Sequence, residues 1–218
     1  MSFLKSRWGL WLLLCLAGCH STPAPTMPST PPPTPGKRLA CMGDSLTEGL
    51  GVENERNYPS QLERALHKKG LHWNVSNAGL SGELSQGARA RLAWVLKLKP
   101  DAVLLETGAN DGLRGINPKV TEENLLAILT ELQQRKVPVM LAGMRTLTNM
   151  GADYAGKFQA IYPRVAERMK VPLIPFFLEG VGGVSRLNQE DKIHPTAEGY
   201  AIIVAAIAPQ VAAWLSSL

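Results

Sequence analysis

Arg38-Leu39-Ala40-Cys41-Met42-Gly43-Asp44-Ser45 is the stretch from which the fold can be read. The run Arg38–Met42 is short and continuous rather than alternating, as expected of a strand buried on both faces. It gives way at once to a polar turn, Gly43-Asp44-Ser45-Leu46. Four more runs of the same kind follow: Trp73–Val75, Ala102–Leu105, Val137–Ala142 and Val171–Phe176. Helical patterns lie between them. In 121–135, Leu125, Ile128, Leu129 and Leu132 fall at i, i+3, i+4 and i+7, with Thr121 as the expected cap. Glu122 and Glu123 suit the positive end of that helix, and Arg135 and Lys136 its negative end. Tyr58, Leu62, Ala65 and Leu66 share one face of a second helix that stops at Gly70. The segment from Thr196 to Leu218 is nearly all apolar and should pack deep, with Pro209 breaking or restarting it.

Strand–helix alternation with connections of this length specifies an α/β fold: a three-layer α/β/α sandwich around a parallel, flavodoxin-like sheet of about five strands. No internal repeat interrupts it. The chain has 218 residues with 23 basic and 18 acidic side chains, and 45% of it is hydrophobic. That composition excludes a polytopic membrane protein or a largely disordered chain. No run of Lys and Arg marks a phosphate-binding face, so no nucleic-acid partner is expected.

The organisation reads in three parts. Residues 1–18 carry Lys5 and Arg7 ahead of a short apolar stretch ending Leu16-Ala17-Gly18, the pattern of a signal peptide. It is too short to span a bilayer, which takes about 20 apolar residues. Residues 19–36 begin with Cys19 and contain a proline-rich stretch, Thr22–Gly36, that favours extended backbone and cannot build a core. The domain itself is 37–218. Cys41, its one cysteine, reads as a small core residue.

In open parallel sheets, ligands bind beyond the carboxyl ends of the strands. Polar blocks stand there: Gly43-Asp44-Ser45-Leu46, Asn77-Ala78-Gly79, Gly108-Ala109-Asn110-Asp111 and, before the last helix, Asp191-Lys192-Ile193-His194-Pro195. Read singly, Ser45 could be a helix cap and His194 an exposed histidine. Together they fit acyl transfer: a serine hydroxyl is a weak nucleophile until a base takes its proton, and the base needs a carboxylate to fix its tautomer. His194 is the candidate base, with Asp191 three residues earlier on the same turn. Asp44, adjacent to Ser45, points elsewhere and reads as a turn residue. Glu106 reads as part of a buried network, and His67 and His72 as solvent or sheet-margin residues. Ser45 lacks the Gly-x-Ser-x-Gly setting of an α/β-hydrolase elbow. No phosphate loop, complete dinucleotide loop or zinc motif is present, so the chemistry is expected to need no cofactor and no metal.

These four blocks, in this order, resemble the SGNH, or GDSL, hydrolases over the whole domain. Gly108–Gly115, Ile161-Tyr162-Pro163 and Val171–Phe177 look like the thioesterase I, lysophospholipase and arylesterase branch. The resemblance implies Ser45, Asp191 and His194 as catalytic residues and Ser45, Gly79 and Asn110 as oxyanion donors. It implies a serine esterase acting on carboxylic esters or thioesters, the partner being a small-molecule substrate. Many members carry Gly-Gly-Asn-Asp where this chain has Ala109, a strained residue if its φ were positive. Leu16-Ala17-Gly18-Cys19 resembles the lipobox of bacterial lipoproteins. That implies acylation of Cys19, membrane attachment through this lipid anchor and, from His20 after it, an outer-membrane location. A monomer is expected. Leu46, Leu80, Leu84, Leu113, Ile116, Met144, Leu147 and Phe177 are candidate acyl-slot residues, and Leu113–Lys119 a candidate lid. The alternatives are a carbohydrate or cell-wall O-acetyl esterase on the same triad, or a non-catalytic binding lipoprotein.

Overall fold

A computed structural model describes residues 36–146 and 150–218. Cys19, His20, the signal and tether expectations for 1–35, and Leu147 all lie outside them. Five strands form one sheet: β1 (Arg38–Gly43), β2 (Asn74–Gly79), β3 (Ala102–Glu106), β4 (Val139–Ala142) and β5 (Leu173–Ile174). Their spatial order is β2-β1-β3-β4-β5, with every pairing parallel. This is the doubly wound order with its switch point between β1 and β3. The flanking helices are α1 (Ser45–Glu48), α2 (Tyr58–Lys68), α3 (Ser85–Leu96), α4 (Ala109–Leu113), α5 (Pro118–Gln134), α6 (Ala152–Gln159), α7 (Ile161–Met169) and α8 (Ala197–Ser216). α2 packs on α8, while α3, α5 and α7 pack in a row, giving the two helical layers.

The central strands match their apolar runs: all of β3 and β4, and β1 beyond Arg38, are buried. Cys41 is fully buried, and burial pushes its thiol up to about 12, so it behaves as core. The edge strands depart from expectation. β2 begins one residue after Trp73 and runs on to Gly79, with most of its side chains partly or fully exposed. Only one neighbour and partial helix cover stand over it, so Asn74, Ser76 and Asn77 are tolerated. β5 shrinks to two residues because Pro172 and Pro175, which have no N–H to donate, bracket it.

Two helices also differ. α5 starts at Pro118, three residues before the expected cap. Asn117 caps it by accepting from the Lys119 N–H at 3.0 Å, and proline suits the first turn. Thr121 lies inside the helix, fully buried, and its hydroxyl donates to Asp111 Oδ1 at 3.1 Å. α8 runs unbroken through Pro209. The lost backbone bond is offset by burial of Ile203, Val204, Ile207, Ala208, Val211 and Leu215 along one side.

The end of β1 is the tightest point near the site. A Cβ at Gly43 would sit 2.1 Å from Thr47 Oγ1 and 2.4 Å from the Glu106 carbonyl oxygen. Gly43→Ala is expected to destabilise the domain by roughly 1–3 kcal/mol or more, since a backbone atom cannot step aside. Urea unfolding checks this, and a change within ~0.5 kcal/mol would show that the crowding relaxes freely.

Candidate active site

Ser45 stands at the first position of α1, directly after β1. The turn is built by Asp44, whose carboxylate accepts from the Leu46 N–H at 3.0 Å. From the far side, Tyr200 of α8 donates its hydroxyl to the Leu46 carbonyl at 3.0 Å. Beneath, Thr47 donates to Glu106 Oε2 at 2.8 Å and meets the Tyr58 hydroxyl at 3.1 Å. Asp44, Thr47 and Glu106 are all fully buried, so both acids serve the scaffold of the turn, as expected.

Across 149 positions of sequence, His194 Nε2 lies 2.8 Å from Ser45 Oγ. His194 Nδ1 lies 2.6 Å from Asp191 Oδ2. The other Asp191 oxygen accepts the backbone N–H groups of Ile193, at 2.9 Å, and His194, at 3.0 Å. Burial tends to raise the Asp191 pKa, but the His194 ring and these two N–H groups outweigh it and hold the carboxyl at about 2. Asp191 is therefore a carboxylate at any working pH, set to orient a ring that carries hydrogen on Nδ1 and accepts through Nε2. A Ser–His–carboxylate chain of this geometry can generate an alkoxide-like nucleophile.

Asn110, the second residue of α4, directs its amide at the Glu83 carbonyl, 3.1 Å away, and more loosely at Asp44 Oδ2, 3.4 Å away. The left-handed turn into α4 falls on Gly108, at φ 102°; Ala109 has an ordinary φ and carries no strain. Gly79 is not brought to the site. Its N–H donates to Asn77 Oδ1 at 2.9 Å, and its Cα face is pressed on the backbone of α1 at Glu48. Gly82, three residues on, fits the donor's role better. Its N–H has no partner among the described residues, its φ is 76°, and the next residue carries the carbonyl that Asn110 holds. The glycine in Ser81-Gly82-Glu83 is the signal in the sequence; it lies three residues past the end of β2.

A groove of about 330 Å³ opens beside the triad, lined by Leu46, Ala109, Leu113, Met144, Phe176 and Ile193, among others. Of the expected slot residues, Leu46, Leu113 and Met144 are there. Phe177 is not: it packs edge-on against Tyr58 at 4.9 Å, and its neighbour Phe176 takes the groove because adjacent extended residues face opposite ways. Leu80 is about half exposed, and Leu80, Leu84 and Ile116 stand outside the groove. The expected lid is shorter than its range. Pro118 and Lys119 belong to α5, and Tyr154 holds the Ile116 carbonyl at 2.8 Å. His67 and His72 face solvent.

Residues 41–202 match the model of the GDSL-like lipase/acylhydrolase family. The chain is 36% identical over 183 residues to the esterase TesA of Pseudomonas aeruginosa, covering 84% of this chain and 89% of that protein. It is 37% identical over 174 residues to thioesterase 1/protease 1/lysophospholipase L1 of Escherichia coli K12, covering 79% and 82% respectively. Among solved structures, it superimposes with a TM-score of 0.70 on AlinE4, an SGNH-hydrolase family esterase, at 41% identity over 83% of this chain and 97% of that one.

Burial pushes the Asp44 carboxyl up from 3.8 to about 6, against the Leu46 N–H bond, which lowers it. Burial and the Asp44 charge push Glu106 well above the usual carboxylate range. Below about pH 4, Asp44 is protonated whether the chain is folded or not. Between about 4 and 6 the unfolded chain sheds the proton first, so stability falls as pH rises through that window. Asp44→Asn keeps an acceptor for Leu46 but cannot titrate. Its stability relative to the native protein should therefore improve between pH 4 and 7, as thermal melts at both values would show. An unchanged difference across the window would mean Asp44 is ionised at both.

Proposed function

The chain belongs to the GDSL-like lipase/acylhydrolase family and is a serine esterase of the SGNH type, and from that premise we propose that it works through an acyl-Ser45 intermediate. The observation that carries this reading is the single hydrogen-bonded line Asp191–His194–Ser45, with contacts of 2.6 and 2.8 Å. As Ser45 Oγ attacks the acyl carbon, its proton passes to His194 Nε2. Asp191 stabilises the imidazolium through Nδ1–H without taking the proton. The carbonyl oxygen becomes an oxyanion held by the Ser45 N–H, the Asn110 amide and, in place of Gly79, the Gly82 N–H. The intermediate collapses by breaking the bond to the alcohol or thiol, which leaves with the His194 proton. Water then gives its proton to Nε2 and attacks the acyl-serine; collapse of that second intermediate returns the proton to Ser45 and frees the acid.

The apolar groove supports short-to-medium acyl chains on aryl esters, lysophospholipids or thioesters. Its volume lies at the lower end of the ~300–1,000 Å³ common for ligand sites. The apolar wall of Leu113, Met144 and Phe176 is more than an acetyl group needs, which favours longer acyl chains over a carbohydrate O-acetyl substrate. We also read Cys19 as acylated and the domain as a monomer hung from the outer membrane by residues 19–36. The support for the anchor is the Leu16-Ala17-Gly18-Cys19 pattern and the prolines after it, and for the outer membrane His20 after Cys19; two or more acyl chains would make the attachment stable.

With p-nitrophenyl esters of increasing acyl length, hydrolysis should rise beyond acetate and vanish in Ser45→Ala. A maximum at acetate would favour the O-acetyl reading. Asp191→Asn should fold normally but lose at least ~100-fold in kcat, because the ring is no longer held in the right tautomer. Full-rate turnover would remove Asp191 from the mechanism. Full-length protein labelled with a palmitate analogue should lose label and membrane association in Cys19→Ala, and unlabelled native chain would reject lipidation.

A further inference from the structure

Glu83 and Arg91 form an ion pair that the triad chemistry does not use. Arg91 Nε reaches Glu83 Oε1 at 2.6 Å, and Arg91 Nη2 reaches Oε2 at 2.8 Å, a two-pronged contact. The Glu83 side chain is only 4% exposed and that of Arg91 17%. The same Nη2 donates to the Gly43 carbonyl at 2.9 Å, which also accepts the Leu80 N–H at 3.0 Å. Gly43 ends β1 two residues before Ser45. Glu83, through its own backbone carbonyl, accepts the Asn110 amide at 3.1 Å. The pair thus touches the strand end that presents the nucleophile on one side and the segment that orients Asn110 on the other. Arg114 steadies the same segment by donating to the Gly82 carbonyl at 3.1 Å.

Burying such a pair is weak evidence of stabilisation, since desolvation offsets much of the attraction. What a guanidinium fork supplies is fixed geometry: it binds both carboxylate oxygens and has a donor left for the carbonyl. Lysine, a flexible point charge, cannot hold the three acceptors in one plane. Donors in an oxyanion site lose much of their effect when displaced by about 1 Å. We propose that the Glu83–Arg91 pair is a positioning brace that fixes the separation between Ser45 and the Asn110 oxyanion donor. Neither residue touches substrate. The proposal rests on Asn110 acting as that donor.

The test is a double-mutant cycle on the full chain with p-nitrophenyl butyrate: native, Asn110→Ala, Arg91→Lys and the double variant, each checked by thermal melting. Arg91→Lys should lower kcat at least ~tenfold with KM within about twofold, and in the Asn110→Ala background its further effect should shrink to about twofold or less. Losses that multiply in the double variant, a change confined to KM, or a native kcat for Arg91→Lys would each overturn the brace. If Asn110→Ala alone keeps full kcat, the oxyanion assignment fails first and the brace with it. If Asn110→Ala is impaired while Arg91→Lys is not, only the brace fails. Glu83→Gln, neutral and of the same shape, repeats the cycle should Arg91→Lys not fold. If neither folds, the pair is structural and the brace is overturned.

Discussion

The functional groups depend on the crowding where β1 ends. No side chain fits at residue 43, because Thr47 and Glu106 already occupy the space a Cβ would take. The chain can therefore turn sharply there, and the turn leaves Ser45 at the first position of α1 with its N–H free of any intrahelical partner. Beneath it, Asp44, Thr47, Tyr58 and Glu106 form a buried polar layer whose hydrogen bonds set the direction of α1. Carboxyls are costly to bury ionised, and the upward pKa shifts of Asp44 and Glu106 register that cost. The layer is specific rather than cheap, as expected where geometry matters more than stability.

Around that turn the site is assembled from separate parts of the chain, each held by its own local device. Asp191 fastens its own turn by accepting two backbone N–H groups before it ever meets the imidazole. The Asn110 loop is fastened by Asp111, which accepts from Ser85 of α3 through both its N–H and its hydroxyl, and from Thr121 of α5. Two neighbouring residues thus divide the work: Asp111 locks the loop into the helical layer while Asn110 faces the groove. The groove adds an apolar wall from α1, α4, the loops after β4 and β5 and the turn before α8, so apolar and polar groups come from different residues on one rim.

Much of this was legible in the residues. β1, β3 and β4 announce themselves because strands buried on both faces must be apolar throughout. Ser45, Asn110, Asp191 and His194 were legible because their neighbours, a turn, a helix start and a three-residue spacing, are local signals. Misreadings came where context overrode local pattern. β2 is an edge strand whose polar residues hid four of its positions. Thr121 looked like a cap but serves Asp111 from inside α5. Pro209 looked like a break, yet α8 buries enough apolar surface, much of it against α2, to carry one missing hydrogen bond. Phe176 and Phe177 could not be told apart by type, only by which way an extended chain faces.

The sequence alone determined the class of fold and the polar blocks beyond the strand ends in which Ser45, Asp191 and His194 stand. Those follow from periodicity and short-range spacing, which a linear chain records directly. Tertiary structure alone decided that Gly79 is pressed on α1 while the Gly82 N–H has no partner among the described residues, and which apolar side chains line the groove. It also decided that Arg91 reaches Gly43 and Glu83 at once. Each of these is a distance between residues far apart in the chain, or an orientation set by packing, and neither is recorded in residue type or local spacing.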